Sequence, residues 1–298
     1  MRLDMVVLGI DFSQASVATA RWVATALAPR AELVLVHVIE PSPQPAFLVT
    51  DTLAAEALEP ATRVDAESEL EEFARTLGRA VTRREVRVGR AGAAIAQLAT
   101  DCGADLIVVG PHGAGGRESF WLGTTADTLV RTADVPVLVG GRASESEHTN
   151  VIAGVDSLPM PVPLLSWASQ AARALRGRLT IFHAIEPAAY SHMASLAAAH
   201  AHGDVEAERR EVEDARRQET AIWLRDLAGA PVDHAETDVV VDVGPAAEAL
   251  LRQAEMKNAA LIVLGRHVGR SGLPSRLGRT VRHVLHDARC PVLVIPPP

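Results

Sequence analysis

Leu106-Ile107-Val108-Val109-Gly110 recurs in the chain as Leu261-Ile262-Val263-Leu264-Gly265. Around these stretches, residues 88–139 align without a gap with residues 243–294. The beginnings of the two copies also match: Gly9-Ile10-Asp11 pairs with Gly154-Val155-Asp156, and His37-Val38 pairs with His183-Ala184. A match of this length indicates that one domain is written twice in the chain.

Each copy alternates short apolar runs with amphipathic stretches of helical length. Runs rich in β-branched residues are typical of strands that are buried on both faces of a parallel sheet. The alternation predicts an α/β fold with a doubly wound, five-stranded parallel sheet in each copy. In the first copy we predict strands at Met5–Ile10, Leu33–Ile39, Arg84–Val88, Leu106–Val109 and Val135–Val139. Helices are predicted at Ser13–Ala28, in an acidic stretch ending near Arg79, at Gly92–Cys102 and at Gly123–Thr132.

The repeat divides the 298-residue chain into two domains. We place the first domain at residues 1–141 and the second at residues 150–298, joined by a Gly/Ser-rich linker at 142–149. The second copy carries an Ala/His-rich insertion near residues 188–203. A strongly charged helix is expected after it, at 204–227.

Composition argues against several classes of function. The net charge of −8 disfavours binding to nucleic acid or to an anionic membrane, both of which attract basic proteins. The aromatic content of 3% disfavours a protein that stacks nucleic-acid bases on aromatic side chains. The chain has no apolar run of the roughly 20 residues needed to span a bilayer, and its N-terminal apolar run is too short for a signal peptide. Two widely separated cysteines, Cys102 and Cys290, are typical of free thiols in a reducing compartment. We therefore expect a cytoplasmic protein that contacts neither nucleic acid nor membrane.

The loop after Val109 has the spacing G-x2-G-x9-G-T, from Gly110 through Gly113 to Gly123-Thr124. A glycine at a strand end allows a ligand to approach the backbone, and the N–H groups at a helix start bind phosphate. In an open α/β sheet, ligands bind at the carboxyl ends of the strands, where Asp11 also lies. Asp11 could instead cap the next helix together with Ser13, and the two roles are compatible. The motifs of P-loop NTPases, of dinucleotide dehydrogenases and of serine hydrolases are absent.

With this loop, the chain resembles a tandem universal stress protein of the ATP-binding branch. The resemblance covers both copies, including the opening at residues 6–13 and the close at Val135–Val139. It implies a Rossmann-like domain, similar to adenine nucleotide alpha hydrolases, and an intrachain pseudo-dimer. In that pseudo-dimer Val135–Val139 would pair with Val292–Ile295, and a homodimer of two chains stays open.

The resemblance also implies roles for residues of the first copy. Asp11 would line the adenosine pocket, the main chain of Val38 would read adenine, and the glycine loop would hold ribose and phosphates. Mg²⁺ would be held through the ATP phosphates, with no metal ligand and no catalytic residue assigned to the protein. The implied nucleotide-binding residues are Gly9, Ile10, Asp11, Val38, Val109, Gly110, His112, Gly113, Gly123, Thr124 and Thr125.

The second copy departs from the motif at two positions. Val268 stands in place of Gly113, and Arg279 stands in place of Thr124. A β-branched valine adopts a positive φ only at a cost, and its side chain occupies space, so we expect weak or absent nucleotide binding there. The corresponding degenerate site comprises Asp156, Ala184, Gly265, His267, Gly278, Arg279 and Thr280.

Three functions follow as hypotheses. The leading one is a stress-response protein that binds ATP mainly in its first domain and acts through an unknown protein partner. The alternatives are a nucleotide-independent interaction scaffold and a slow ATPase, with weak hydrolysis the most that is expected. A zinc site at His192, His200 and His202, or at His283 and His286, is disfavoured because no cysteine or carboxylate sits at ligand spacing beside them.

Overall fold

A computed structural model describes residues 3–40, 52–113, 122–141, 149–156, 162–185, 214–215, 217–224, 236–266 and 277–297, with the side chains of 52–61 left aside. These residues form two compact units, 3–141 and 149–297. Residues 142–148 of the predicted linker 142–149 and the insertion near 188–203 lie outside the described residues, as does His267. The domain boundaries given above stay predictions.

The first domain alternates strands and helices along the chain. Its strands are β1 (Met5–Gly9), β2 (Glu32–Ile39), β3 (Arg83–Val88), β4 (Leu106–Val109) and β5 (Val137–Val139), and its helices are α1 (Gln14–Trp22), α2 (Thr52–Thr76), α3 (Ala91–Cys102) and α4 (Thr124–Thr132). The strand order is β3-β2-β1-β4-β5, and every pair is parallel. The order reverses beside β1, so that the carboxyl ends of β1 and β4 flank the topological switch point at which ligands bind in such sheets.

The second domain repeats this plan. Its strands are β6 (Asn150–Gly154), β7 (Leu179–Ile185), β8 (Thr237–Val243), β9 (Ala259–Gly265) and β10 (Val292–Ile295). Its helices are α5 (Val162–Leu175), α6 (Ala246–Met256) and α7 (Arg279–Asp287), with further helical residues at 217–224. The strand order is β10-β9-β6-β7-β8, again parallel throughout. The predicted α/β, doubly wound, five-stranded architecture is therefore confirmed in both copies.

The apolar runs form the cores because parallel strands covered by helices are buried on both faces. In the first domain Leu8, Leu33, Leu35 and Leu106 are fully buried, and in the second domain Ile152 and Leu179 are. No helix among the described residues is long and apolar enough to cross a membrane.

Helix α1 continues into one π-helical turn, Val23–Leu27. The Arg79 guanidinium caps this end by donating hydrogen bonds to the carbonyl oxygens of Ala24 (3.0 Å), Ala28 (2.9 Å) and Ala31. A single side chain thereby donates to three carbonyls at and just beyond the helix end, where carbonyls lack intrahelical partners.

Candidate functional site

The end of β1 is a turn organised by Asp11. Its Oδ1 atom accepts hydrogen bonds from the backbone N–H of Ser13 (3.0 Å) and from the Ser13 hydroxyl (2.6 Å). The Ser13 hydroxyl oxygen in turn accepts from the backbone N–H of Ser16 at 3.2 Å and so caps α1. The capping role foreseen for Asp11 and Ser13 is therefore present, and it engages one carboxylate oxygen of Asp11.

Phe12 and His37 form an aromatic pair beside this turn. Phe12 has a left-handed backbone with a φ of 62°, and the two ring centroids are 4.7 Å apart. The Nδ1 atom of His37 lies 2.7 Å from the carbonyl oxygen of Ile10, so Nδ1 carries the hydrogen. Val38, the implied adenine reader, follows His37 near the end of β2 and pairs in register with Arg87. Sequence reasoning used His37 only as a landmark of the repeat and did not assign it to the site.

Two glycines of the loop are explained by close packing within the protein. A Cβ atom on Gly110 would lie 3.2 Å from the Cα of Ser16, so glycine lets β4 approach α1. A Cβ atom on Gly123 would lie 3.2 Å from the carbonyl oxygen of Pro111, which accepts the Gly123 N–H at 2.9 Å. These contacts bring the start of α4 back to the residues that follow β4.

Gly113 differs from these two glycines, because few described atoms surround it. Among the described residues, only Oδ2 of Asp11, at 3.8 Å, would lie within 4 Å of a Cβ atom on Gly113. Its φ is outside the left-handed range, so the expectation that this position needs a positive φ is wrong. Glycine permits a positive φ without requiring one. A larger residue at position 113, such as the valine that the second copy has at position 268, would therefore place its side chain in the space beside the Asp11 carboxylate.

Three helices of the first domain begin at the carboxyl edge of the sheet, and they are capped differently. The first turn of α1 is capped by Ser13, and the N–H of Ala91 in α3 donates to the Glu40 carboxylate at 2.8 Å. Among the described residues, no side chain accepts from the first N–H groups of α4, at Thr124 to Ala126. Of these three helix starts, the one next to the glycine loop is therefore the one at which no described side chain accepts a first-turn N–H.

The predicted residues of the first site thus fall into one region. Asp11, Gly113, Gly123 and the start of α4 are linked by the contacts above, and Val38 is the penultimate residue of β2, the strand next to β1. Gly9 and Val109 serve packing, since a Cβ atom on Gly9 would lie 3.1 Å from Cγ1 of Val109. Ile10 is buried, His112 is half-buried, Thr124 is exposed and Thr125 is half-buried.

The second domain keeps part of this arrangement. The Nδ1 atom of His183 lies 2.9 Å from the carbonyl oxygen of Val155, which repeats the contact between His37 and Ile10. Asp156 is exposed after β6, Ala184 is half-buried in β7, and Gly265 ends β9. Gly278 precedes α7, whose first two residues are Arg279 and Thr280.

The histidines considered for zinc are distributed as follows. Both His283 (Nε2 to Oδ2, 3.0 Å) and His286 (Nδ1 to Oδ1, 2.5 Å) contact Asp287 at the end of α7. The expectation that no carboxylate lies beside this pair of histidines is therefore wrong, because one helical turn brings Asp287 next to His283. No cluster of three metal-ligating side chains occurs within the described part of the chain. His192, His200 and His202 lie outside it.

The sequence profile of the Universal stress protein family matches the chain twice, over residues 3–140 and 147–296. The chain belongs to the universal stress protein family. This membership confirms the resemblance drawn from the repeat and the glycine loop, and it supports a role in stress response.

Known relatives agree with this assignment. A universal stress protein of Mycolicibacterium smegmatis is 27% identical over 309 residues, which cover 98% of this chain and 97% of that protein. One of Mycobacterium tuberculosis is 30% identical over 196 residues, covering 64% of this chain but only 61% of the relative's length. The crystal structure of a universal stress protein from Archaeoglobus fulgidus has the same fold, with a TM-score of 0.67, 18% identity and 99% coverage of both chains.

Proposed function

We propose that this universal stress protein binds ATP in its first domain and that the bound nucleotide controls its association with a protein partner. The observation that supports this proposal best is that no described side chain accepts from the first N–H groups of α4, beside the Gly113 loop. Such N–H groups, together with the positive end of the helix dipole, favour phosphate.

The polyphosphate would bind to the N–H groups and to the hydroxyls of Thr124 and Thr125. Gly113 leaves room next to Asp11 for the ribose, and the backbone of Val38 lies on the neighbouring strand for the base. Mg²⁺ would be held through the ATP phosphates, and when bound it neutralises part of their negative charge. The residues at the loop suit this use, because N–H groups and hydroxyls donate to phosphate oxygens.

The second domain would bind ATP weakly or not at all. Val268 would fill the space that Gly113 leaves open, and Arg279 replaces the Thr124 hydroxyl. We include in the proposal a cytoplasmic location, which the separate thiols of Cys102 and Cys290 support. Pairing of β5 with β10 in a pseudo-dimer, and dimerisation of whole chains, also stay predictions.

A matched pair of substitutions tests the placement of the phosphates. Thr125 and Thr280 are each the second residue of their helix, α4 in the first domain and α7 in the second. Isothermal titration with ATP, ADP, AMP and adenosine in Mg²⁺ should give affinities that fall with each phosphate removed. Thr125→Val should weaken ATP binding by about tenfold, the cost of one hydrogen bond to a charged group, whereas Thr280→Val should not. Equal affinity for ATP and adenosine would contradict phosphate binding at α4.

A further inference from the structure

A polar cleft of about 300 Å³ lies in the second domain, away from the nucleotide edge. It is found where β6, β7 and β8 begin and where α6 ends, which is the amino edge of the sheet. Its lining residues are Asn150, Arg178, Thr180, Asp238 and Lys257.

The repeat supplies an internal comparison for this cleft. The strand registers are the same in both domains: Val34 pairs with Arg83 in the first, and Thr180 pairs with Asp238 in the second. All five positions differ between the copies, with two apolar residues becoming polar and two charges reversing sign. The first-domain counterparts of the five lining residues, in the same order, are Met5, Glu32, Val34, Arg83 and Cys102. A polar cleft of this composition therefore belongs to the second copy alone.

Lys257 is the single lysine of the chain, since all other members of its 29 lysine-plus-arginine residues are arginines. Its ammonium donates to Oδ2 of Asp238 at 2.9 Å. An arginine would also pair with a carboxylate, and the chain uses arginine for this purpose nearby, where Arg252 donates to Asp242 at 2.7 Å. Lysine differs in being a compact point charge whose three donors rotate freely, and only one of the three is directed at Asp238.

The remaining residues fix the shape of the cleft and add donors. The side-chain amide of Asn150 donates to the carbonyl oxygen of Lys257 at 2.7 Å and its oxygen accepts the N–H of Arg178 at 3.2 Å, which joins the end of α6 to the start of β7. Thr180 is only 3% exposed, yet it carries a hydroxyl where the first domain has Val34. The Arg178 side chain is largely exposed at the rim, where its Nε atom lies 3.5 Å from Oε2 of the equally exposed Glu236. Among the described residues, Asp238 and Glu236 therefore engage only part of the donors that Lys257 and Arg178 carry.

We propose that this cleft is a second small-molecule site, which takes a small organic anion bearing carboxylate or phosphate oxygens, with Lys257 as the central donor. The Lys257 ammonium would bind the anion through the N–H donors that are not directed at Asp238, while its hydrogen bond to Asp238 holds the ammonium in place. The Thr180 hydroxyl and the Arg178 guanidinium would complete the contact from the floor and the rim. The site is separate from the proposed ATP site.

The single lysine makes a local test possible. The full-length protein is treated with an amine-reactive acylating reagent, and modification of Lys257 is followed by peptide mass spectrometry with rising citrate or inorganic phosphate, in separate series. We expect one of the two anions to slow acylation of Lys257 with saturation and to bind in isothermal titration at one per chain. The citrate and phosphate series distinguish a carboxylate ligand from a phosphate ligand. Absence of saturation with both anions would overturn the proposal.

Three variants separate binding from a purely structural ion pair. Lys257→Gln removes the ammonium and should lose at least about tenfold in anion affinity, the cost of one hydrogen bond to a charged group. Thr180→Val, which restores the first-domain residue, should also weaken binding. Arg252→Gln breaks a comparable ion pair outside the cleft and should have no effect. Wild-type affinity in a folded Lys257→Gln, or an equal loss in Arg252→Gln, would show that Lys257 is not the ligand. Gly113→Val should leave anion protection of Lys257 unchanged, which keeps this test independent of ATP binding.

Discussion

A Cβ atom on Gly113 would lie 3.8 Å from the carboxylate oxygen Oδ2 of Asp11, and no other described atom would come within 4 Å. Among the described residues, a gap therefore lies beside the Asp11 carboxylate that follows β1, at the edge where no described side chain accepts from the first N–H groups of α4. A side chain at position 113 would enter this gap, although the backbone conformation at Gly113 does not itself require glycine. Gly110 and Gly123 differ from Gly113, because a side chain at either position would lie too close to neighbouring atoms of the protein.

Gly140 lies against buried Thr19, and we predict that the two positions are coupled. A Cβ atom on Gly140 would lie 2.0 Å from Oγ1 of Thr19, which is fully buried. Gly140→Ala should lower the free energy of unfolding by about 2 kcal/mol through overpacking. Thr19→Ala in the same chain should recover part of the loss, because it removes the atom that clashes. Urea denaturation of the single and double variants measures this coupling, and additive losses would argue against the contact.

Arg79 should stabilise the end of α1 much more than an ordinary surface arginine stabilises its helix. Its guanidinium donates to three carbonyls around the π-helical turn, and Arg79→Ala would leave them without these donors. We expect a loss of about 1–3 kcal/mol in thermal or urea unfolding. Arg75→Ala is the control, since Arg75 forms only an exposed ion pair with Glu71 and should cost at most about 0.5 kcal/mol. Similar losses in both variants would refute the capping role.

The Asp238–Lys257 pair should make the second domain sensitive to acid. The hydrogen bond from the Lys257 ammonium holds the pKa of the Asp238 carboxyl below its ordinary value. A lowered pKa contributes stability above the unfolded-state pKa of about 4, and this contribution is lost as the pH falls through the folded-state pKa. Wild type should thus exceed Asp238→Asn in stability at pH 7, with the difference shrinking below about pH 4. Lys257→Gln should reduce the same pH dependence, and an unchanged acid profile in both variants would contradict it.

The two thiols should differ in reactivity. Burial raises the pKa of the Cys290 thiol to about 12, so it stays protonated at pH 8. Burial also raises the pKa of Cys102, but that residue is only half-buried. Iodoacetamide at pH 8 should therefore label Cys290 far more slowly than Cys102 in the folded protein, and both equally in urea. Mass spectrometry of the labelled peptides measures the two rates, and equal labelling in the folded state would show that Cys290 is accessible.

The sequence was sufficient to locate the strands along the chain, because buried parallel strands require continuous apolar runs. One strand boundary was placed too early: β5 begins at Val137 and not at Val135. Pro136 has no N–H to donate, and the ladder there uses its carbonyl oxygen, which accepts from Ile107 at 2.9 Å. The π-helical turn could not be predicted from the sequence, because the residue that caps it, Arg79, comes from a distant part of the chain.

The site was predictable to the extent that it is local. The Asp11–Ser13 cap and the glycine spacing are visible in short stretches of sequence. The reasons for individual glycines were not, because Gly110 is required by α1 and Gly140 by Thr19, both of which are tertiary contacts. The role of His37 as donor to Ile10 and the amino-edge cleft around Lys257 also depend on strands meeting in the fold.

Native mass spectrometry of the full-length protein with ATP and Mg²⁺ tests the central proposal most directly, through the number of ATP molecules bound per chain. We predict one per chain for wild type and none for Gly113→Val, which should keep its fold because a Cβ atom there would come within 4 Å of only one atom of the described residues. Two ATP molecules per wild-type chain, or one retained in a folded Gly113→Val, would contradict the account.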